Sequence, residues 1–386
     1  MENRKIYLDH AATTAVDPRV LNKMLPYFTE VYGNANSQHF FGRASAKAVD
    51  EARDTIAGCI GAKPSEIYIT SGGTEADNWV LRGVCGMHDG GHVIVSSVEH
   101  AAMLSTAKEL EKKGYEFTYL PVDEYGMVSP EDVKKAIRPD TILVAVMYAN
   151  NEVGTIQPIE EIVQICKERK VPVFTDAVQA MGVIDIDVSR LGVDMMSFSA
   201  HKFGGPKGIG ALYIRTGVRI DRLISGGHQE RTRRGGTTNV AGMVGFAEAL
   251  KIAKAERAEN VKKTTALRDH FISRVLAEIP DVKLNGHPTQ RLCGNADFSF
   301  RYIEGESILF MLDLNGICVS SGSACSSGSL DPSHVLLAIG VPIEVAHGSI
   351  RFSFGKENTK EQVDYVVDKL KEIVGNLRAM SPLYNA

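Results

Sequence analysis

From about residue 60 to 215, short apolar runs rich in β-branched residues recur between helix-forming stretches: EIYIT, HVIVSS, FTYLPV, TILVAVMYA, VPVFTDA, MMSFSA and GALYIRT. This alternation predicts an α/β domain built on a mostly parallel sheet. The intervening helices include STAKELEKKG, SPEDVKKAI and IEEIVQICKERK. In the second, Ser129 stands as the N-cap, Pro130 at the first helical position and Asp132 three residues after the cap. The Ala-, Lys- and Glu-rich stretch from about 240 to 279 reads as one long helix leading to a second domain, with NADFSF, GICVSS and SIRFSF as its strands. At 386 residues the chain exceeds the roughly 250–300 at which one core stops growing, in keeping with two domains.

A net charge of −4 with both signs interspersed gives no field that would draw nucleic acid or an anionic membrane, so a small-molecule substrate is expected. The opening MENRKIYLDHAATT lacks the apolar stretch of a signal peptide, and TILVAVMYA is too short to cross a bilayer. A cytoplasmic protein is expected. Six cysteines (Cys59, Cys85, Cys166, Cys293, Cys318, Cys325) form no dense framework and no CxxC pair, which points to reduced thiols and away from a preassembled metal site.

The polar clusters fall where such a sheet places ligand-binding residues, in the loops after its strands. In SFSAHKFGGPKGIGALYI, Lys202 follows an apolar strand and precedes a glycine-rich turn. A lysine buried there can lose its proton and form a Schiff base; the alternative is a surface lysine beside a tight turn, and Lys207 is the poorer candidate. In TDAVQA, Asp176 directly follows a buried strand, where a carboxylate needs a partner. A protonated pyridine nitrogen is one such partner, and a helix N-cap is the bland reading.

SGGTEADN offers small residues, the hydroxyl of Thr74 and the free amides of a helix start, a cradle for phosphate without the spacing of a nucleotide loop. Ser199, His201 and, from RRGGTTN, Thr237 are further donors to the same phosphate. His100 in SVEHAA is placed either to stack on a planar ring and move protons or merely to cap a helix. Arg351 in SIRFSFG alternates with Ile350 and Phe352, a lone charge expected on a half-buried face and suited to a substrate carboxylate. SSGSACSSG surrounds Cys325 with small residues, so an exposed, mobile thiol is expected there, whereas Cys59, Cys85, Cys166 and Cys318 read as structural.

Taken in order, YLDHAATT, SGGTEADN, SVEHAA, ANNEVGTIQP, TDAVQ, SAHKFGGPKGIG, RRGGTTN and SSGSAC resemble the cysteine desulfurases, in the branch of nitrogen-fixation and iron–sulfur-assembly enzymes. The resemblance covers nearly the whole chain. It implies the type I pyridoxal-phosphate fold, with a large cofactor-binding domain at 16–255 and a smaller α+β domain formed by 1–15 and 256–386 that carries the Cys325 loop at about 320–330.

It also implies the site. Lys202 would hold pyridoxal 5′-phosphate, Asp176 would pair with its pyridine nitrogen, Gln179 with its phenolate oxygen, and His100 would stack on the ring and exchange protons. Gly73, Thr74, Ser199 and His201 would bind the phosphate, joined by Thr237 from the second subunit of a homodimer, while Asn151 and Arg351 would hold the substrate carboxylate, Asn151 also lying against the cofactor. The implied reaction converts L-cysteine to L-alanine: Lys202 takes the α-proton and Cys325 receives the sulfur as a persulfide, with an iron–sulfur scaffold or another acceptor as partner and transient iron–sulfur contact through Cys325. Lys202, Asp176 and the phosphate cradle would equally serve a selenocysteine lyase or an aminotransferase, from which Cys325 discriminates. A non-catalytic adaptor, the rival of another class, would lack visible absorbance even with added cofactor.

Overall fold

The computed structural model describes residues 5–321 and 332–384. Its strands are β1 (Ile6–Tyr7), β2 (Ile67–Thr70), β3 (His92–Ser96), β4 (Glu116–Leu120), β5 (Thr141–Ala145), β6 (Val173–Asp176), β7 (Met195–Ser199), β8 (Gly210–Ile214), β9 (Val282–Asn285), β10 (Asn295–Phe300), β11 (Ile317–Cys318) and β12 (Ser349–Ser353). The helices of ten or more residues are α1 (Phe40–Cys59), α2 (Gly73–Cys85), α3 (Ala101–Glu111), α4 (Ile159–Arg169), α5 (Val240–Glu278), α6 (Gly305–Leu314) and α7 (Lys360–Met380).

All seven apolar runs of the 60–215 region enter one sheet, in the order β2-β8-β7-β6-β5-β3-β4. The pairs β4–β3, β3–β5, β5–β6 and β6–β7 are parallel, and β8 runs antiparallel to both β7 and β2. Two reversals restore direction, so the carboxyl ends of β2, β3, β5, β6 and β7 share one edge. At that edge Gly210 lies between Thr70 and Ser199. A Cβ there would come within 2.8 Å of the Gly72 Cα, so the close approach of β8 to the Gly72 turn requires a residue without a side chain.

One face of this sheet is covered by α1, α4 and the first third of α5, the other by α2 and α3. The later part of α5, with Leu267, Phe271 and Val275, packs instead with β10, β12, α6 and α7. The long helix read at 240–279 therefore contributes to two cores. The second is built around Phe271, Phe298 and Phe352, all fully buried, each worth roughly 1.5–3 kcal/mol of burial. The sheet under it has the order β12-β10-β9 and is antiparallel, which makes this region α+β.

Several local expectations need correction. Helix α3 starts at Ala101 rather than Ser105, because His100 caps it. Ser129 does occupy the N-cap of the helix Pro130–Ala136, yet its hydroxyl makes no capping hydrogen bond. GICVSS yields only the two-residue strand β11, which pairs in parallel with β1. The strands β1 and β9 had no sequence signal, being short and apolar only in part. Among the described residues no helix is long and apolar enough to cross a membrane.

Candidate active site

The site forms where the strand order brings β2, β6 and β7 together at their carboxyl ends. Asp176 ends β6, opposite Ser197 of β7, and Lys202 lies three residues beyond the end of β7 in the short turn Ala200–Lys202. The Asp176 carboxyl is buried, accepts the Val178 amide at 2.8 Å and faces His100 and Lys202. Burial raises its pKa, while the amide and the two basic residues oppose the rise.

Lys202 Nζ donates to the carbonyls of Ala11 and Ala12 at 2.6 and 2.9 Å, and Gln179 Nε2 donates to the same Ala11 carbonyl at 2.9 Å. The HAATT segment thus folds over the lysine. Thr14 fixes the turn from both sides: its amide and hydroxyl donate to the His201 carbonyl, and its hydroxyl accepts from the Gly204 amide. Thr13 Oγ1 lies 3.1 Å from His201 Nδ1. Burial first, then Lys202 and Lys207, push His201 down to about 4, so its ring is neutral at pH 7 and acts as a hydrogen-bonding group rather than a cation.

His100 Nδ1 accepts the Ala102 amide at 3.1 Å, which makes it the cap of α3, and it also faces Asp176. The two readings of this residue are therefore compatible. With Nδ1 accepting, the ring proton is on Nε2. Gly73 and Thr74 form the first turn of α2 after the Gly72 cap, whose side of the turn faces Ser199 Oγ. Thr237 is exposed and lines, with Thr70, Ser71, Gly208 and Arg234, a cavity of about 70 Å³.

Arg351 is 3% exposed, not half-buried, because the polar face of β10 and β12 is turned inward. Its Nη1 donates to the Asn151 carbonyl and its Nη2 to Asp9 Oδ1, each at 2.9 Å. Asn151 and Arg351 are thus neighbours, and each Nη keeps one further N–H for a carboxylate. Cys325 lies outside the described residues. Among the described residues no group of three or more His, Cys, Asp or Glu is placed to hold a metal ion.

Sequence reasoning quoted YLDHAATT without giving its residues roles, and so missed Asp9, Ala11, Thr13 and Thr14. It also missed two buried acids next to motif residues. Asp77 in SGGTEADN shares a hydrogen bond with Ser197, and Glu99 in SVEHAA accepts from Ser96 Oγ and the Met147 amide. The signal was a charged residue followed or preceded by apolar neighbours in a segment already marked as functional.

The arrangement fits pyridoxal phosphate. A buried acid held against its burial cost by two bases gains a natural counter-ion in a pyridinium N–H, the adjacent lysine supplies a Schiff-base amine, and the helix start with Ser199 and the neutral His201 supplies donors for a phosphate.

A helix-flanked sheet with this lysine–aspartate edge defines a pyridoxal-phosphate enzyme, and the chain belongs to the aminotransferase class-V family, which it matches over residues 6–366. Within that family it stands with the cysteine desulfurases. Cysteine desulfurase IscS of Methanosarcina thermophila is 53% identical over 384 residues, covering 99% of this chain and 95% of the relative. A solved NifS-like protein superposes with a TM-score of 0.92 at 41% identity, over 97% of this chain and all of the other. SspA in complex with cysteine superposes at 0.81 with 33% identity, over 92% of this chain and 100% of that one.

Proposed function

We propose that this protein removes sulfur from L-cysteine, releases L-alanine and carries the sulfur as a persulfide on Cys325 for iron–sulfur cluster assembly. The observation that carries the reading is Lys202 beside the buried Asp176 at the carboxyl edge of the sheet, in a chain of the cysteine desulfurase kind. When bound, pyridoxal phosphate supplies an electron sink for the substrate's α-carbanion.

The chain's own residues do the rest. Asp176 holds the ring nitrogen, Gln179 the phenolate oxygen, and Gly73, Thr74, Ser199 and His201 the phosphate, with Thr237 contributed by a second copy. Asn151 and Arg351 orient the substrate carboxylate, and the Arg351 fork is held in aim by Asp9. Lys202 Nζ leaves its two carbonyl acceptors and takes the α-proton, and His100 Nε2 exchanges protons at the ring. The Cys325 thiolate then attacks the substrate sulfur: the S–S bond forms as the C–S bond breaks, and the remaining three-carbon fragment takes up protons and departs as alanine.

The domain division at 16–255 against 1–15 with 256–386 belongs to the same proposal; it rests on the two cores that α5 joins. So does a homodimer. Leu25, Phe28, Tyr32, Phe40 and Phe41 are all more than two-fifths exposed, and the Phe41 ring packs against Tyr32 and edge-on against Phe40 at centroid distances of 5.3 and 5.6 Å, an apolar patch that favours a second copy. A cytoplasmic enzyme handing sulfur to a scaffold, with transient iron contact at the Cys325 sulfur, completes the reading.

Single-turnover reaction with cysteine tests it. Persulfide should map to Cys325 and vanish in Cys325→Ala and Lys202→Ala, with Cys325→Ala keeping its cofactor colour. Alanine and sulfide released equally well without Cys325 would reassign the protein to another pyridoxal-phosphate lyase or transferase.

A further inference from the structure

Three residues before Thr237 the chain makes a contact that the reaction does not call on. Arg234 reaches the first turn of α2 and holds Glu75 with two parallel hydrogen bonds: Nε donates to Oε1 at 2.9 Å and Nη2 to Oε2 at 3.1 Å. The side chains are 23% and 18% exposed, so water and salt screen this pair less than one on the open surface, and its geometry is fixed at both ends. Glu75 directly follows Thr74, so Arg234 is tied to the same helix start that offers Gly73 and Thr74 to a phosphate.

The chain before Arg234 is fastened to its own sheet. Glu230 accepts the Ile69 amide at 2.9 Å and Arg231 Nη2 donates to the Ile67 carbonyl at 2.7 Å, both on β2. Beyond Arg234 come two glycines, the second at φ 127 degrees, a region open chiefly to glycine. They are held by the Gly235 amide on the Ile224 carbonyl and by a long 3.4 Å contact from the Gly236 amide to Gln229 Oε1. Thr237 follows, exposed, and among the described residues its hydroxyl has no hydrogen-bond partner. It stands between two side-chain anchors, Arg234 before it and the Asn239 cap of α5 after it.

We infer that Arg234 and Glu75 are a positioning pair: their two-pronged bond holds the loop that presents Thr237 to the second copy against the helix start that binds phosphate in the first, so each copy braces the donor it presents with its own phosphate cradle. The inference rests on the proposed homodimer in which Thr237 acts across to the other copy. In this role neither side chain touches cofactor or substrate, and no bond is made or broken. Arg234→Met and Glu75→Met each keep an unbranched side chain at the position and remove the pair.

The test uses full-length protein as mixed dimers, purified through two different tags, in which one copy carries Lys202→Ala. That copy forms no Schiff base, so the visible band of lysine-bound pyridoxal phosphate reports the other, wild-type copy alone, and the dimer with Lys202→Ala only sets the reference affinity. Thr237→Ala added to the Lys202→Ala copy should weaken cofactor binding at the wild-type copy roughly fivefold to tenfold. Arg234→Met or Glu75→Met added there instead should weaken it roughly twofold or more, by no more than Thr237→Ala does, and the two together by no more than either alone. Should one Met variant fail to fold, the other carries the same expectation. A pair that served stability alone would lower Tm and leave that affinity unmoved; this result beside a clear Thr237→Ala effect would sink the positioning pair and leave the donation between copies standing. Met changes that add independently would sink it too. Thr237→Ala without effect at the wild-type copy would end the donation between copies and the inference with it.

Discussion

Arg351 shows how a side chain read as half-exposed can be fully enclosed and still available. Its guanidinium is anchored by Asp9 and the Asn151 carbonyl, so its fork is pre-aimed rather than mobile. Arg351→Lys loses the planar fork while keeping the charge, and should raise KM for cysteine roughly tenfold or more with the cofactor spectrum unchanged. Asp9→Asn should move the same constant in the same direction by less. Glu99 gives a pH prediction. Burial outweighs the Ser96 and Met147 donors and pushes its carboxyl from the ordinary 4.5 up to about 8. The folded value lies above the unfolded one, so the stability this group contributes is fully present below about pH 4.5 and is lost as pH rises through the window to about 8. Glu99→Gln should flatten the fall of unfolding free energy across that window, by up to about 1.4 kcal/mol per pH unit, in denaturant titrations.

At the scale of elements, the turn Gln229–Thr232 is under strain, with Glu230, Arg231 and Thr232 at φ values of 44, 57 and 66 degrees. It persists because Arg53 of α1 makes a bidentate pair to Glu230 at 2.8 Å, Glu230 also accepts the Ile69 amide, and Arg231 lies 4.0 Å over the Tyr68 ring. Removing the cation with Arg53→Leu leaves a largely buried carboxylate unpaired and should cost about 3–5 kcal/mol, read as a lower Tm and denaturant midpoint. Helix α7 provides a milder case. Its capping box joins Thr359 and Gln362, and Thr359→Ala should cost about 1 kcal/mol with no effect on cofactor binding. The elements themselves were legible because they are long or strongly apolar: the seven strands and α5 needed only their own periodicity. The strands β1 and β9 were not legible, since two and four residues carry no period of their own: β1 owes its form to Ile317 at the far end of the sequence, and β9 to its antiparallel pairing with β10, where Leu284 faces Phe298.

For the whole molecule, the exposed cluster of Tyr32, Phe40 and Phe41 predicts self-association. A Tyr32→Glu, Phe40→Glu double variant should halve the mass seen by sedimentation while leaving the far-UV spectrum unchanged. Loss of cofactor affinity alongside the loss of mass would support a phosphate donor from the second copy.

The order of motifs along the chain was enough, by itself, to determine the α/β class, the family, and the identities of Lys202, Asp176, His100 and Arg351 as residues to watch, because those depend on local pattern and on chemistry written in the side chains. Tertiary structure alone decided that the HAATT carbonyls hold the lysine, that Asp9 aims the arginine and that Asp77 meets Ser197. Each of these joins segments more than a hundred residues apart, and no local pattern specifies which backbone carbonyl or buried acid a folded sheet edge will bring to a given side chain.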